Sequence, residues 1–199
     1  MIKAIIFDNG GVLVEDTWLD FQLVASCKMG ISLEEFRAQV KPIVSPATTG
    51  QITKEDVLAG LEGFVGSQQD IAEMLTTPTP WPSMEKWLEE LISDGYQLSM
   101  LSNDFGDFPE SNKIWKYDRY FGDRIFHSSA LGVMKPDLRA YTAVIAATGF
   151  APEEILFIDD KVKNVEAARS LGLFGIQFIT EIQVKNDFQK LIEREHVQK

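Results

Sequence analysis

Short apolar runs alternate with longer segments of helical spacing along most of the chain. The apolar runs predict strands at 4–7, 97–101, 124–126, 155–158 and 174–178. A strand that is buried on both faces is typically a continuous apolar run, as in the middle of a parallel sheet. The segments between most of these runs carry apolar residues every three or four positions, which is the helical period. The pattern therefore predicts an α/β fold with a doubly wound parallel sheet.

Residues 15–80 depart from this alternation because they contain helical patterns and no strand pattern. Ser32 is a predicted N-cap, Pro42 is expected to limit the helix that follows, and 45–50 is expected to be a loop of small residues. Thr53 opens another predicted helix. We interpret 15–80 as a helical cap that is inserted after the first strand, and 1–14 with 81–199 as the α/β core.

Composition limits the partners that this chain is expected to have. The net charge of −11 over 199 residues counts against nucleic acid, because a polyanion would be repelled. No apolar run approaches the ~20 residues that cross a membrane, and the N-terminal run leads into Asp8 without a cleavage site. We therefore expect a cytoplasmic protein that binds a small molecule. The sequence leaves its oligomeric state open between monomer and homodimer.

Four groups of polar residues stand where a predicted strand ends or just before a predicted helix. They are Asp8, Ser102 with Asn103, Lys135, and Asp159 with Asp160. In open α/β sheets, ligands bind beyond the carboxyl ends of the strands, so these groups are expected to converge on one pocket. Pro136 is expected in the first turn of the helix that follows Lys135, and Ser83 is expected to cap the helix that ends near Gly95.

This set of side chains suits a hard divalent cation and a phosphoryl group. Carboxylate oxygens, water and a substrate phosphate are the ligands that Mg²⁺ prefers. A lysine before a helix N-terminus opposes the helix dipole and indicates an anionic partner. The chain has no Cys and His spacing of the kind that binds zinc. We therefore expect Mg²⁺ as the cofactor.

The same residues form an ordered series of motifs that resembles the haloacid dehalogenase superfamily. The series is Phe-Asp-Asn-Gly-Gly-Val-Leu at 7–13, Leu-Ser-Asn at 101–103, Gly-Val-Met-Lys-Pro-Asp at 132–137 and Phe-Ile-Asp-Asp-Lys at 157–161. The resemblance spans Ile5 to Phe178. It is most similar to the branch that contains sugar phosphatases and the N-terminal phosphatase domain of soluble epoxide hydrolases. The insert at 15–80 matches the cap that many members carry.

The resemblance implies a role for each residue that carries the motifs. Asp8 would be the nucleophile that forms an aspartyl-phosphate. Ser102 and Asn103 would hold phosphate oxygens. Lys135 would bind the phosphate as well, and would pair with Asp8 and with the charge of the transferred phosphoryl group.

The resemblance also implies a metal site at the same strand ends. Asp8, the carbonyl oxygen of Gly10 and Asp160 would coordinate Mg²⁺. Asp159 would orient Lys135 or a metal-bound water. Asn164, a helical turn beyond this pair, would support the loop if it is not simply an exposed polar residue of the helix.

Gly10 departs from the pattern of the superfamily's phosphatases. These enzymes usually carry a second Asp at this position, two residues after the nucleophile, which protonates the leaving group and activates water. Glycine keeps the carbonyl oxygen but has no acid, and general acid–base catalysis contributes roughly 10²–10⁴ in rate. Glu15 and Asp16 are candidates to replace it, although both residues also suit the start of the next helix.

Three hypotheses remain open at this point. The first, which we favour because a complete metal and phosphate site is present, is a Mg²⁺-dependent phosphatase of a small phosphorylated metabolite, slow or specialised because the acid is missing. The second is a metal-independent hydrolase of the 2-haloacid dehalogenase type. The third is a catalytically weak phosphate-binding or interaction module. The substrate would be chosen by the cap and by the loop at 105–120, and neither contains a motif that names it.

Overall fold

A five-stranded parallel sheet forms the centre of the computed structural model, which describes residues 1–67, 69–71, 78–105 and 116–197. The strands are β1 (Ala4–Phe7), β2 (Gln97–Ser102), β3 (Ile125–His127), β4 (Ile155–Asp159) and β5 (Phe174–Gln177), in the order β3-β2-β1-β4-β5. Every pair of neighbouring strands is parallel. The predicted α/β fold is confirmed, and each predicted strand end agrees with the structure to within one residue.

Helices surround this sheet and build the insert. They are α1 (Thr17–Met29), α2 (Leu33–Thr48), α3 (Lys54–Val65), α4 (Pro82–Ser93), α5 (Asp118–Phe121), α6 (Ser128–Leu131), α7 (Leu138–Thr148), α8 (Val162–Ser170) and α9 (Glu181–Val197), with a 3₁₀ turn at Pro152–Glu154. The first three helices lie in the insert, and the others follow it along the chain.

The sheet is buried on both faces, because successive side chains of a strand point to opposite sides. Phe7 lies edge-on to Trp87 of α4, with ring centroids 5.8 Å apart, in the cluster that covers one face. Its neighbour Ile6 belongs to the cluster on the other face, with Tyr141 of α7 and Ala168 of α8. Burial on both faces explains why β1 is an unbroken apolar run, and it fixes Asp8 at the carboxyl edge of the sheet.

The insert has a hydrophobic cluster of its own. Its buried members all lie within 15–80 and include Phe21, Phe36 and Leu61. The two segments that join the insert to the sheet run side by side, since the backbone N–H of Glu15 donates to the Thr79 carbonyl at 3.2 Å. These contacts suit a cap at 15–80, and the division of the chain into cap and core stays a prediction.

Two predictions about helix boundaries in the insert were wrong. Helix α2 continues through Pro42 and Pro46, so most of the predicted loop at 45–50 is helical. A proline inside a helix removes one backbone hydrogen bond but has the φ angle that a helix needs. Burial of Val40 and Ala47 on the same helix offsets that loss, and tertiary packing therefore decides where the helix ends.

Two predicted helix starts also differ from the structure. Helix α4 begins at Pro82, and Trp81, not Ser83, occupies the N-cap position. Helix α7 begins at Leu138, because the Asp137 side chain accepts a hydrogen bond from a backbone N–H of its first turn. Pro136 therefore lies before the helix and not in its first turn.

The part of the chain that the structure describes contains no helix with both the length and the apolar character of a membrane span.

The contact between the insert and the core predicts opposite effects for two glycine substitutions. Gly50 has a φ of +70°, and a Cβ at this position would overlap the carbonyl oxygen of Ser129. Gly50→Ala is expected to lower the free energy of unfolding by at least about 1–2 kcal/mol, the cost of a left-handed backbone alone.

Gly63→Ala is the matched control, because Gly63 is exposed inside α3 and a Cβ there would meet nothing within 4 Å. This substitution is expected to stabilise the protein by about 0.5–1 kcal/mol. Urea denaturation of both variants measures the two changes. Equal effects would show that the approach of Gly50 to the core is unimportant.

Candidate active site

The carboxyl ends of three adjacent strands bring the predicted site residues together. Asp8 follows β1, Ser102 ends β2 on one side of it, and Asp159 ends β4 on the other. The backbone N–H of Asp8 donates to the Ile158 carbonyl at 2.8 Å, which extends the pairing of β1 and β4 beyond the strand. The Asp8, Ser102 and Asp159 side chains are buried. The sheet register therefore places the groups at one edge, as the sequence predicts.

Lys135 joins two of these carboxylates. Its Nζ lies 2.6 Å from Asp8 Oδ1 and 2.8 Å from Asp159 Oδ2, and only 1% of the side chain is exposed. The backbone of Lys135 is held in turn by the side chain of Asn103. The Lys135 N–H donates to Asn103 Oδ1 at 2.9 Å, and Asn103 Nδ2 donates to the Lys135 carbonyl at 3.0 Å.

The Asn103 amide thus has a positioning role that the sequence analysis did not identify. It ties the turn before α7 to the end of β2 and holds the lysine beside Asp8. Its expected contact with a phosphate oxygen stays a prediction, as does that of Ser102.

Asp159 is fixed by three hydrogen-bond donors. Asn164 Nδ2 donates to its Oδ1 at 2.9 Å and its Oδ2 at 3.0 Å, and the Lys161 backbone N–H donates to Oδ1 at 2.8 Å. Lys135 supplies the remaining contact. Asn164 is buried, so it supports this loop and is not an exposed residue of α8.

The Lys135 ammonium is shared by the Asp8 and Asp159 carboxylates, so negative charge exceeds positive charge around Asp8. Burial, followed by the nearby Asp159 carboxylate, raises the pKa of Asp8 to about 7. The pKa of Asp159 is lowered despite its burial, because Lys135 and the other donors stabilise its charged form. Burial disfavours the Lys135 ammonium, but Asp159 and Asp8 outweigh this effect and raise its pKa.

A group of carboxylates at this edge has the spacing of a metal site. Asp8, Asp159 and Asp160 each offer an oxygen, and these oxygens lie within 4.8 Å of one another. Burial raises the pKa of Asp160, so a nearby cation would favour its charged form. An all-oxygen set of this size fits Mg²⁺, which completes its shell with water and substrate.

Lys161 is a site residue that the sequence analysis missed. Its Nζ lies 3.3 Å from Asp160 Oδ1 and 3.6 Å from Asp16 Oδ2. Burial disfavours the charged form of Lys161. Four surrounding carboxylates, of which Asp8 has the largest effect, outweigh burial and raise the pKa of Lys161. A lysine directly after two aspartates was the signal in the sequence.

Tyr117 makes a contact that only the structure reveals, because it lies 108 residues along the chain from its partner Asn9. Its hydroxyl donates to Asn9 Oδ1 at 2.9 Å and holds the turn beside Asp8. The Tyr117 hydroxyl is buried, and this burial raises its pKa and keeps it a donor. Most of the loop at 105–120, the expected specificity loop, lies outside the described residues.

The structure separates the two residues considered as replacements for the missing acid. Glu15 is exposed and accepts a hydrogen bond from the Thr79 N–H at 3.3 Å, in the connection to the insert. Asp16 faces the site, since its Oδ1 lies 3.9 Å from the point where a Gly10 Cβ would stand. The same Oδ1 accepts from the Leu19 N–H at 3.0 Å, so Asp16 also caps α1.

The raised pKa of the buried Asp8 carboxyl predicts a pH dependence of stability. The Asp8 pKa rises from 3.8 to about 7 on folding, so the native protein keeps a proton that the unfolded chain has released. The free energy of unfolding should therefore fall as pH rises from about 4 to about 7, by a few kcal/mol at most. Asp8→Asn should remove this part of the slope.

Urea denaturation between pH 4.5 and 8 in the presence of EDTA measures the slope. Asp137→Asn is the control, because its carboxyl has a pKa of about 2 and is ionised throughout that range. An unchanged slope in Asp8→Asn would show that Asp8 does not titrate there.

Comparisons with known proteins agree with the geometry. The chain is 28% identical to a sesquiterpene phosphatase of Aspergillus oryzae over 96% of both chains, and 26% identical to a D-ribitol-5-phosphate phosphatase of Bacteroides thetaiotaomicron over 89% of this chain and 92% of the relative. A Bacteroides thetaiotaomicron enzyme of the HAD family, solved with magnesium and inorganic phosphate, has the same fold, with a TM-score of 0.68, 22% identity and coverage of 91% and 96%.

A family model matches residues 2–172, from two residues before β1 to the turn after α8. The matched segment contains every residue of the site. The chain therefore belongs to the haloacid dehalogenase-like hydrolases.

Proposed function

We propose that this protein is a Mg²⁺-dependent phosphatase that hydrolyses a small phosphate monoester through an aspartyl-phosphate on Asp8. The observation that carries the proposal is the Asp8 carboxylate at the sheet edge, 2.6 Å from a buried lysine and beside two carboxylates that could hold a metal ion with it. A carboxylate in this setting can act as a nucleophile. The neighbouring lysine would also stabilise the negative charge that develops on the phosphoryl group.

In the first step, an Asp8 oxygen attacks phosphorus and the bond between phosphorus and the ester oxygen breaks. The leaving oxygen takes a proton from solvent and departs as an alcohol. Lys135 compensates the negative charge of the transferring group, and the Ser102 hydroxyl donates to one of its oxygens. In the second step, water attacks phosphorus, the bond to Asp8 breaks, and inorganic phosphate leaves.

The proposed Mg²⁺ ligands are Asp8, the Gly10 carbonyl and Asp160. Asp159 instead orients Lys135, since its oxygens already accept from Lys135 and Asn164. When bound, the ion acts as a Lewis acid on a phosphoryl oxygen. A structural relative was solved with magnesium and inorganic phosphate, which supports Mg²⁺ as the cofactor.

The substrate class rests on the relatives and on charge. Several relatives are named as phosphatases, among them one of a sesquiterpene and one of D-ribitol 5-phosphate. The net charge of −11 disfavours a large polyanionic substrate. Gly10, which carries no acid, is the observation that keeps dehalogenase chemistry as a second candidate, because a halide leaves without a proton.

The first prediction of this proposal concerns an ester whose leaving group needs little protonation. The wild type should release p-nitrophenol from p-nitrophenyl phosphate only when Mg²⁺ is present. Asp8→Asn should lower kcat by on the order of a thousandfold or more, because the nucleophile is lost. Absorbance at the p-nitrophenolate band measures both rates, and circular dichroism checks that the variant is folded.

Three other outcomes would contradict the phosphatase proposal. Chloride release from 2-chloropropionate without metal would identify a dehalogenase. Thermal stabilisation by Mg²⁺ and phosphate without turnover of any ester would indicate a binding module. Phosphatase activity that survives Asp8→Asn would remove the aspartyl-phosphate step.

The second prediction concerns Gly10. Its φ lies outside the left-handed region, and a Cβ added there would come near a single atom, Asp16 Oδ1 at 3.9 Å, so an aspartate fits. Gly10→Asp should raise kcat for alkyl phosphates by about tenfold or more, because it supplies an acid to a poor leaving group. The rate with p-nitrophenyl phosphate should change much less.

Gly10→Asn is the matched control, since it has the same shape without the acid. Phosphate release from an alkyl and an aryl ester is measured for both variants. Equal rates for folded Gly10→Asp and Gly10→Asn would contradict the account of the missing acid.

A further inference from the structure

The proposed function leaves one proton without an acceptor. Hydrolysis of the aspartyl-phosphate on Asp8 requires water to lose a proton as it attacks phosphorus, and a positioned base speeds such a step. The identity of this base rests on the proposed function, because the base acts in the second half of that reaction.

Most carboxylates of the site are committed to other contacts. Asp8 carries the phosphoryl group at this stage. Asp159 accepts hydrogen bonds from Lys135, Asn164 and the Lys161 backbone. Asp160 is assigned to the metal. In the proposed reaction these roles leave none of the three carboxylates available as the base.

Asp16 is the carboxylate that faces the open space beside Gly10. Its Oδ1 lies 3.9 Å from the position of a Gly10 Cβ, and its Oδ2 lies 3.6 Å from Lys161 Nζ. The Asp16 side chain is 20% exposed, so water reaches it. Lys161 also lies 3.3 Å from Asp160 and thus ties Asp16 to the metal side of the site.

We propose that Asp16 is the general base of the second step. The Asp16 carboxylate takes a proton from water as the water oxygen bonds to phosphorus. The bond between phosphorus and the Asp8 oxygen breaks, and the electron pair returns to Asp8. Inorganic phosphate leaves, and Asp16 releases its proton to solvent.

Asp16 is also the N-cap of α1, and one substitution can separate its proposed role as a base from this structural role. Asn is as good an N-cap residue as Asp, so Asp16→Asn keeps the hydrogen bond to the Leu19 N–H while it removes the base. Asp20→Asn is the matched control, because Asp20 lies exposed in the first turn of the same helix.

The experiment is a rapid acid quench with p-nitrophenyl phosphate and Mg²⁺, followed by intact-protein mass measurement. Asp16→Asn should form p-nitrophenol in a burst at close to the wild-type rate and then turn over at least about tenfold more slowly. The quenched variant should carry one phosphoryl group, which peptide mapping places on Asp8. Asp20→Asn should behave as the wild type.

A double variant tests whether a carboxylate at position 10 can replace that of Asp16. Gly10→Asp added to Asp16→Asn should restore the steady-state rate and abolish the accumulated phosphoprotein, because its carboxylate enters the space that Asp16 faces. Loss of turnover in Asp16→Asn without phosphoprotein, or wild-type turnover in that variant, would overturn the inference. A wild type that turns over no ester at all would instead defeat the proposed function, and the inference with it.

Discussion

The buried ammonium of Lys135, shared by two carboxylates, is the interaction on which the rest of the site depends. Burying charge is costly unless each group is paired and hydrogen-bonded in fixed geometry. The two carboxylates and the lysine are each at most 8% exposed, so small displacements would leave a charge unpaired. Asn103 and Asn164 meet this demand, because one fixes the lysine backbone and the other fixes Asp159.

The charge balance of this triad favours the binding of a cation. Two carboxylates and one ammonium leave a net negative charge, which contributes to the raised pKa of Asp8. A divalent cation would remove that excess and favour the ionised form of Asp8. The site is therefore complementary to a cation and, once the cation is bound, to a phosphoryl group.

The insert contributes a charged group to the site as well as a hydrophobic cluster of its own. Asp16 is the N-cap of α1, the first helix of the insert, and it lies beside the turn that follows Asp8. A single side chain thus begins the insert and faces the active site. The position of the first helix and the position of this carboxylate are consequently linked.

The sequence by itself determined the sheet and the place of its chemistry. Buried strands are apolar runs, and parallel strands bring their carboxyl ends to one edge, so the sequence alone places Asp8 and Asp159 together. Only the tertiary structure decided that Asn103 holds Lys135, that Tyr117 holds Asn9, and which of two adjacent acids faces Gly10. These contacts join residues far apart in the chain or depend on side-chain direction, and local pattern carries information about neither.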